Sequence, residues 1–188
     1  MSKLSLIKQY LKESQLEFPT SRQSNTSSCG SAVTQSVLRY YGIDKREDEI
    51  SRNVFLTKKM GCSPKSISRY LSSFDLKVVE SNSMTIEDLI RNVDNKYPTI
   101  VLFQAWTNKK DTDYQNFSDG HYAVVIGYDV DNIIFEDPSL NNNKGYLSKE
   151  DFENRWHGLG AYNKEIENYG ITVIGTPQYN PNKLVRID

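Results

Sequence analysis

The spacing of apolar positions changes partway along the chain. Up to about residue 93 they recur every three or four residues, the period of one helical face. Leu4, Ile7, Tyr10 and Leu11 predict a short amphipathic helix, and the polar stretch 17–28, with Pro19 near its start, predicts a loop. A helix is expected to begin at Cys29 or Gly30, capped by Ser27 or Ser28. Its core side would be Val33, Val37, Tyr40 and Tyr41, and Gly42 would stop it. Further helices are expected over 47–55, 66–74 and 85–93. Ser63-Pro64 supplies a cap and a proline ahead of Ile67, Tyr70, Leu71 and Phe74. In the last helix Glu87 and Asp88 occupy the first turn, and Ile86, Leu89, Ile90 and Val93 face inward.

After Tyr97-Pro98 the pattern becomes short apolar runs at 99–103, 122–126, 133–135 and 171–174, which read as strands. The turn residues Asp129-Val130-Asp131-Asn132 between the second and third runs predict a hairpin. The polar segment 107–120 predicts a loop beside the site. Helices first and strands second imply an α+β domain with segregated layers rather than an alternating βαβ sheet. The organisation expected is a helix and loop over 1–21, one domain over 22–176 and a tail over 177–188, with both ends dispensable to the core.

Composition narrows the function. The 188 residues are 37% hydrophobic and 25% charged, enough apolar content for one core. Lys and Arg number 23 against 24 Asp and Glu, a net charge of -1. That balance offers no polycationic face for nucleic acid and no basic anchor for lipid. No apolar run approaches the roughly 20 residues needed to span a bilayer, and residues 1–16 lack the apolar core of a secretion signal. A cytoplasmic protein is the expectation, with a secreted effector as the alternative. Two cysteines, Cys29 and Cys62, and two histidines, His121 and His157, make neither a disulfide scaffold nor a zinc site, so no metal or cofactor is expected.

Cys29 has the position with chemical consequences. A thiol at a helix start faces unpaired N–H groups and the positive end of the dipole, which favour thiolate; such sites lower the pKa from ~8.5 to roughly 3.5–7.5. The neighbours Asn25-Thr26-Ser27-Ser28 and Gly30-Ser31-Ala32 are small or polar, so the sulfur need not be walled in. The ordinary alternative is a small buried residue, which is how Cys62, in Gly61-Cys62-Ser63-Pro64, is read. His121 follows Gly120 and opens a strand, so its ring can stand at the sheet edge as a base; a solvated loop-end histidine is the plain alternative. His157 follows a short helix anchored by Phe152 and Trp156, with no strand beside it, and is assigned a structural or surface role.

Asp137 lies sixteen positions beyond His121, two hairpin arms and a turn away, so the chain returns it to the histidine's neighbourhood. In the right register it would hold the imidazole in one tautomer, whereas a slip of one would send it to the other face. Asp-Pro as a mere strand end is the alternative, and Asp119 is the weaker candidate for the acid. Gln23, six residues before Cys29, would curl back to donate to a developing oxyanion alongside the Cys29 backbone N–H, if it is not an ordinary loop glutamine.

Gln23-x5-Cys29-Gly30-x-Ala32, Gly120-His121-Tyr122 and Asp137-Pro138 together resemble the papain-like cysteine peptidases in their bacterial double-glycine-processing form, here stand-alone, without the ABC transporter. The similarity runs from about Arg22 to Val173. It takes in Gly61-Cys62-Ser63-Pro64, Pro98-Thr99-Ile100-Val101, Gly127-Tyr128-Asp129 and Leu147-Ser148-x3-Phe152-x3-Trp156. The resemblance implies a papain-like fold, with a helical half carrying the cysteine packed on an antiparallel sheet carrying the histidine and acid. It further implies Cys29 as nucleophile, His121 as base, Asp137 as orienting acid, Gln23 as oxyanion donor and a peptide or protein as substrate. Two other outcomes share these residues. Transfer or deamidation would use the same acyl-enzyme, and a non-catalytic peptide-binding module would use the cleft alone.

Overall fold

The computed structural model describes residues 13–54, 61–105, 113–141, 144–160, 164–184 and 186–187. The helix expected near residues 4–11 lies outside them. Helix α1, Cys29–Tyr40, starts and stops as the sequence predicts, and Gly42 follows with a φ of 77°, a left-handed conformation that suits glycine. Its burial runs further round than one face. Ser31, Thr34 and Ser36 are enclosed with the valines, and their hydroxyls donate to the carbonyls of Ser28, Gly30 and Val33 within the same helix. Polar side chains that bond their own backbone can enter a core without leaving an orphaned group.

Helices α2 (Glu47–Asn53), α3 (Pro64–Leu71) and α4 (Ile86–Asp94) follow in the first half. Ser63 caps α3 by accepting from the Ser66 N–H, with Pro64 as the first helical residue. Thr85 and Asp88 form a reciprocal capping box on α4.

Among the described residues, seven antiparallel strands form the main sheet, in the order β2-β9-β3-β4-β5-β6, with β1 also paired to β4. The ranges are β1 Ser14–Gln15, β2 Lys77–Ser81, β3 Thr99–Gln104, β4 Gly120–Tyr128, β5 Asn132–Glu136, β6 Gly145–Ser148 and β9 Gly170–Ile174. A separate hairpin pairs β7 (His157–Leu159) with β8 (Glu165–Glu167), and α5 (Lys149–Arg155) precedes it. Helices α1 and α4 pack on β4, and α5 packs across β3, β5 and β6. This is the α+β, papain-like arrangement expected.

Three expectations are corrected. The first half is not purely helical, because β2 pairs along its whole length with β9. His157 has a strand beside it, since it opens β7. The ends are not separable from the core: Leu16 and Phe18 are buried, Tyr179 packs on the same cluster, and Gln178 and Tyr179 both donate to the Tyr40 carbonyl. Of the segment expected as a loop, residues 107–112 lie outside the described residues, and Asp113–Asn116 form a short 3-10 turn. Close approach of β1 to β4 depends on Gly127, where an added Cβ would sit 2.8 Å from the Ser14 carbonyl.

One irregularity bears on the site. On β4 the residues Val124 and Val125 pair with Glu136 and Phe135, while Gly127 and Tyr128 pair with Ile134 and Ile133. Ile126 is therefore the extra residue of a bulge. Continued one step, the register past the bulge sets Asp137 across from Ala123, on the face that Ala123 shares with His121. An unbroken register from Tyr128–Ile133 would have put Glu136 on that face instead.

Candidate active site

Cys29 is the first residue of α1. Ser28 holds the N-cap position but turns its hydroxyl back to the backbone of Asn25, so no side chain caps the helix start. The freed first-turn N–H groups meet sulfur instead. Gly30 hydrogen-bonds Cys29, and Ser31 hydrogen-bonds Cys62. The Tyr122 backbone also bonds the Cys29 sulfur.

His121, the second residue of β4, meets the Cys29 thiol through a side-chain hydrogen bond. Its Nε2 donates to Asp137 Oδ1 at 2.9 Å. With Nε2 so committed, Nδ1 is the ring nitrogen left for the sulfur. Phe103 on β3 stands edge-on to the ring, 5.9 Å between centroids, and fixes its plane. The three side-chain-bearing residues are nearly enclosed, at 8% exposure for Cys29, 6% for His121 and 5% for Asp137.

Enclosure sets the electrostatics. Burial resists ionisation of Cys29, but the His121 hydrogen bond and charge, with the Tyr122 and Gly30 backbone, outweigh it and bring the thiol below its ordinary value. Burial likewise resists a charged His121, and the bonds to Asp137 and Cys29 overcome this, raising the imidazole to about 9. Both shifts favour the thiolate and imidazolium forms, and the two partners titrate together. Cys62 shows the contrast: burial first, then the nearby Cys29 charge, push its thiol up to about 12.

Gln23 is held between the segment after Asp137 and the approach to Cys29. Its backbone N–H donates to the Pro138 carbonyl, its Oε1 accepts from Ser139 Oγ at 2.9 Å, and its Nε2 donates to the Asn25 carbonyl. It is thus pinned to the loop after Asp137, with one of the two amide hydrogens spent on Asn25. Ser139, absent from the sequence reading, also donates its backbone N–H to Asp137 Oδ1 at 2.8 Å. An Asx turn is a common meaning of Asp-Pro-Ser, and that was the available signal. Asp119 engages Ser118 and stays out of the chain of bonds. His157 bonds the Tyr114 carbonyl through Nε2, and its own carbonyl accepts from the fully buried Gln104.

Residues 15–164 match the family model described as the Peptidase_C39 like family. The chain belongs to that family. Solved structures share the C39-like fold at low identity. A chain described as a C39-like peptidase from Bacillus anthracis is 16% identical with a TM-score of 0.70, covering 89% of this chain and 100% of that one. The peptidase domain of Streptococcus ComA, a bifunctional ABC transporter of a quorum-sensing pathway, is 22% identical with a TM-score of 0.60, covering 84% and 97%. A double glycine motif protease from an AMS/PCAT transporter, solved with a leader peptide, is 14% identical with a TM-score of 0.59, covering 88% and 95%. No curated protein matches the sequence. Family and fold together are those of a C39-type cysteine peptidase, a hydrolase. Among the described residues of this C39-like chain, no helix is long and apolar enough to cross a membrane.

Proposed function

We propose that the protein cleaves peptide bonds with Cys29 as nucleophile, His121 as general acid and base, Asp137 as orienting acid and Gln23 as oxyanion donor. The observation that carries this reading is the unbroken chain of hydrogen bonds from the Cys29 sulfur through the imidazole to the Asp137 carboxylate. The Cys29 thiolate adds to the scissile carbonyl, and its oxygen becomes an oxyanion facing the helix-start backbone and the Gln23 amide. Collapse of that intermediate breaks the C–N bond as His121 gives its proton to the departing amine. A thioester and a neutral imidazole remain. The imidazole then takes a proton from water, the hydroxide adds to the thioester, and the C–S bond breaks to release a carboxylic acid and restore the ion pair.

A peptide with small residues such as Gly-Gly ahead of the scissile bond is the substrate we favour, by analogy with the double glycine motif protease among the structural relatives. Mass spectrometry of products from a peptide library containing Gly-Gly sequences tests both parts. New termini that vanish in Cys29→Ala are expected. Ligation or a one-dalton gain at a side-chain amide would redirect the reading to transfer or deamidation, and binding without any product would reduce it to a peptide-binding module.

A further inference from the structure

We infer that Ser139 is a positioning residue that couples the acid to the oxyanion donor, an inference that rests on the proposed cysteine-peptidase chemistry. Three of its groups are engaged at once. Its N–H donates to Asp137 Oδ1 at 2.8 Å, the same oxygen that holds His121. Its hydroxyl donates to Gln23 Oε1 at 2.9 Å. Its carbonyl accepts from the Arg22 guanidinium.

Two neighbouring bonds extend the clamp. Gln23 N–H donates to the Pro138 carbonyl at 3.0 Å, and Ser21 N–H donates to Glu136 Oε1 at 3.0 Å. Residues 21–23 are thereby laid along 136–139, although the two segments lie more than a hundred residues apart in sequence.

The consequence is directional. An amide oxygen held by the Ser139 hydroxyl turns the Gln23 NH2 group the opposite way, toward Asn25 and the segment leading into Cys29. Without that bond only the Nε2 donation to the Asn25 carbonyl resists exchange of the oxygen and nitrogen ends of the Gln23 side chain. A donor aimed at the oxyanion would then be an acceptor for part of the time. The Asp137 bond uses backbone N–H, so it survives removal of the hydroxyl. Ser139→Ala thus separates the two connections.

Two reagents read the two halves of the chemistry without knowledge of the natural substrate. Iodoacetamide alkylates sulfur by displacement and needs only the thiolate. p-Nitrophenyl acetate acylates sulfur through an oxyanion, releasing nitrophenolate and adding an acetyl group visible in the intact mass. In Ser139→Ala the acylation rate at Cys29 is expected to fall roughly three- to tenfold, the effect of one hydrogen bond on a rate. The alkylation rate and its pH profile should stay as in the wild type, and Ser139→Thr should restore acylation. In a Gln23→Ala background the Ser139→Ala change should have no further effect.

Equal losses in both reactions would show a merely structural residue and overturn the inference, as would no loss in either, or additive losses with Gln23→Ala. Failure of the underlying chemistry looks different. Wild-type Cys29 would then react no faster than an ordinary thiol with either reagent.

Discussion

The phenol of Tyr122 donates to the backbone carbonyl of Cys62 at 3.1 Å. Tyr122 follows His121 on β4, and Cys62 packs against Gly30, the residue after Cys29. One hydrogen bond thus ties the strand that carries the imidazole to the segment that backs the sulfur, in a buried position.

Replacing Tyr122 by Phe leaves the Cys62 carbonyl buried and unpaired. The expected loss of stability is about 1–3 kcal/mol, from the cost of an unsatisfied buried group. A urea titration measures it. A lower iodoacetamide rate at Cys29 should accompany it, because the two halves of the site are less firmly held together.

Asp137→Asn keeps a hydrogen-bonding side chain but removes the charge that helps raise His121 to about 9. The imidazole value falls and, with less imidazolium beside it, the Cys29 value rises, so the ion pair narrows its pH window from both ends. In the wild type turnover should hold through neutral pH and decline as pH passes about 9, where His121 loses the proton destined for the leaving amine. The variant should decline at lower pH on that side, begin at higher pH on the acid side, and lose roughly 10²-fold in turnover. Rate profiles from pH 4 to 10 would show it. An unchanged profile would count against Asp137 as the orienting acid.

The hairpin and the helix start were readable because each has a local marker. Cys29 follows a run of small polar residues, and Asp129 to Asn132 is strong turn chemistry. The bulge at Ile126 was not readable. Tyr122 to Ile126 is continuously apolar, so no alternation fixes which residues share a face. Strand β2 escaped because Lys77 to Ser81 is short and half-exposed, and its partner β9 lies some ninety residues later. Helix α1 reads as one-sided because Ser31, Thr34 and Ser36 are polar, yet their hydroxyls are satisfied inside the helix. Gln23 was found as a candidate, but its anchoring to Ser139 depends on a contact across 116 positions that no sequence spacing announces.

Glu136 gives stability its own pH dependence. Burial first, then the neighbouring Asp137 charge, raise its carboxyl from 4.5 to about 7, against the lowering effect of the Ser21 N–H. A folded value above the unfolded one means that the folded state binds more protons between them. The contribution is fully present below pH 4.5 and is lost as pH rises through about 7. Glu136→Gln retains the acceptor for Ser21 and removes the titration. Urea midpoints measured from pH 4.5 to 7.5 should decline less steeply in the variant than in the wild type.

Gly30→Ala sets two effects against each other. Alanine gains up to about 1 kcal/mol of helix propensity over glycine. Its Cβ would meet Cys62 Cβ at 3.0 Å, and Cys62 Sγ and Ile67 Cδ1 each at 3.1 Å. Crowding on three sides in a packed core costs about 1–3 kcal/mol and should win. Net destabilisation is expected in thermal or urea unfolding, relieved in part by pairing the change with Cys62→Ala.

The extra residue in β4 makes the partnership of imidazole and carboxylate a matter of counting. Glu136 and Asp137 are adjacent, both acidic and both buried, and they point to opposite sides of the sheet. A single residue gained or lost within the paired stretch 120–128 exchanges them. A change of two restores the original choice. The 129–131 turn guards the same count, because the Asp129 N–H and carboxylate both hold Asn132 and so fix where the return strand begins.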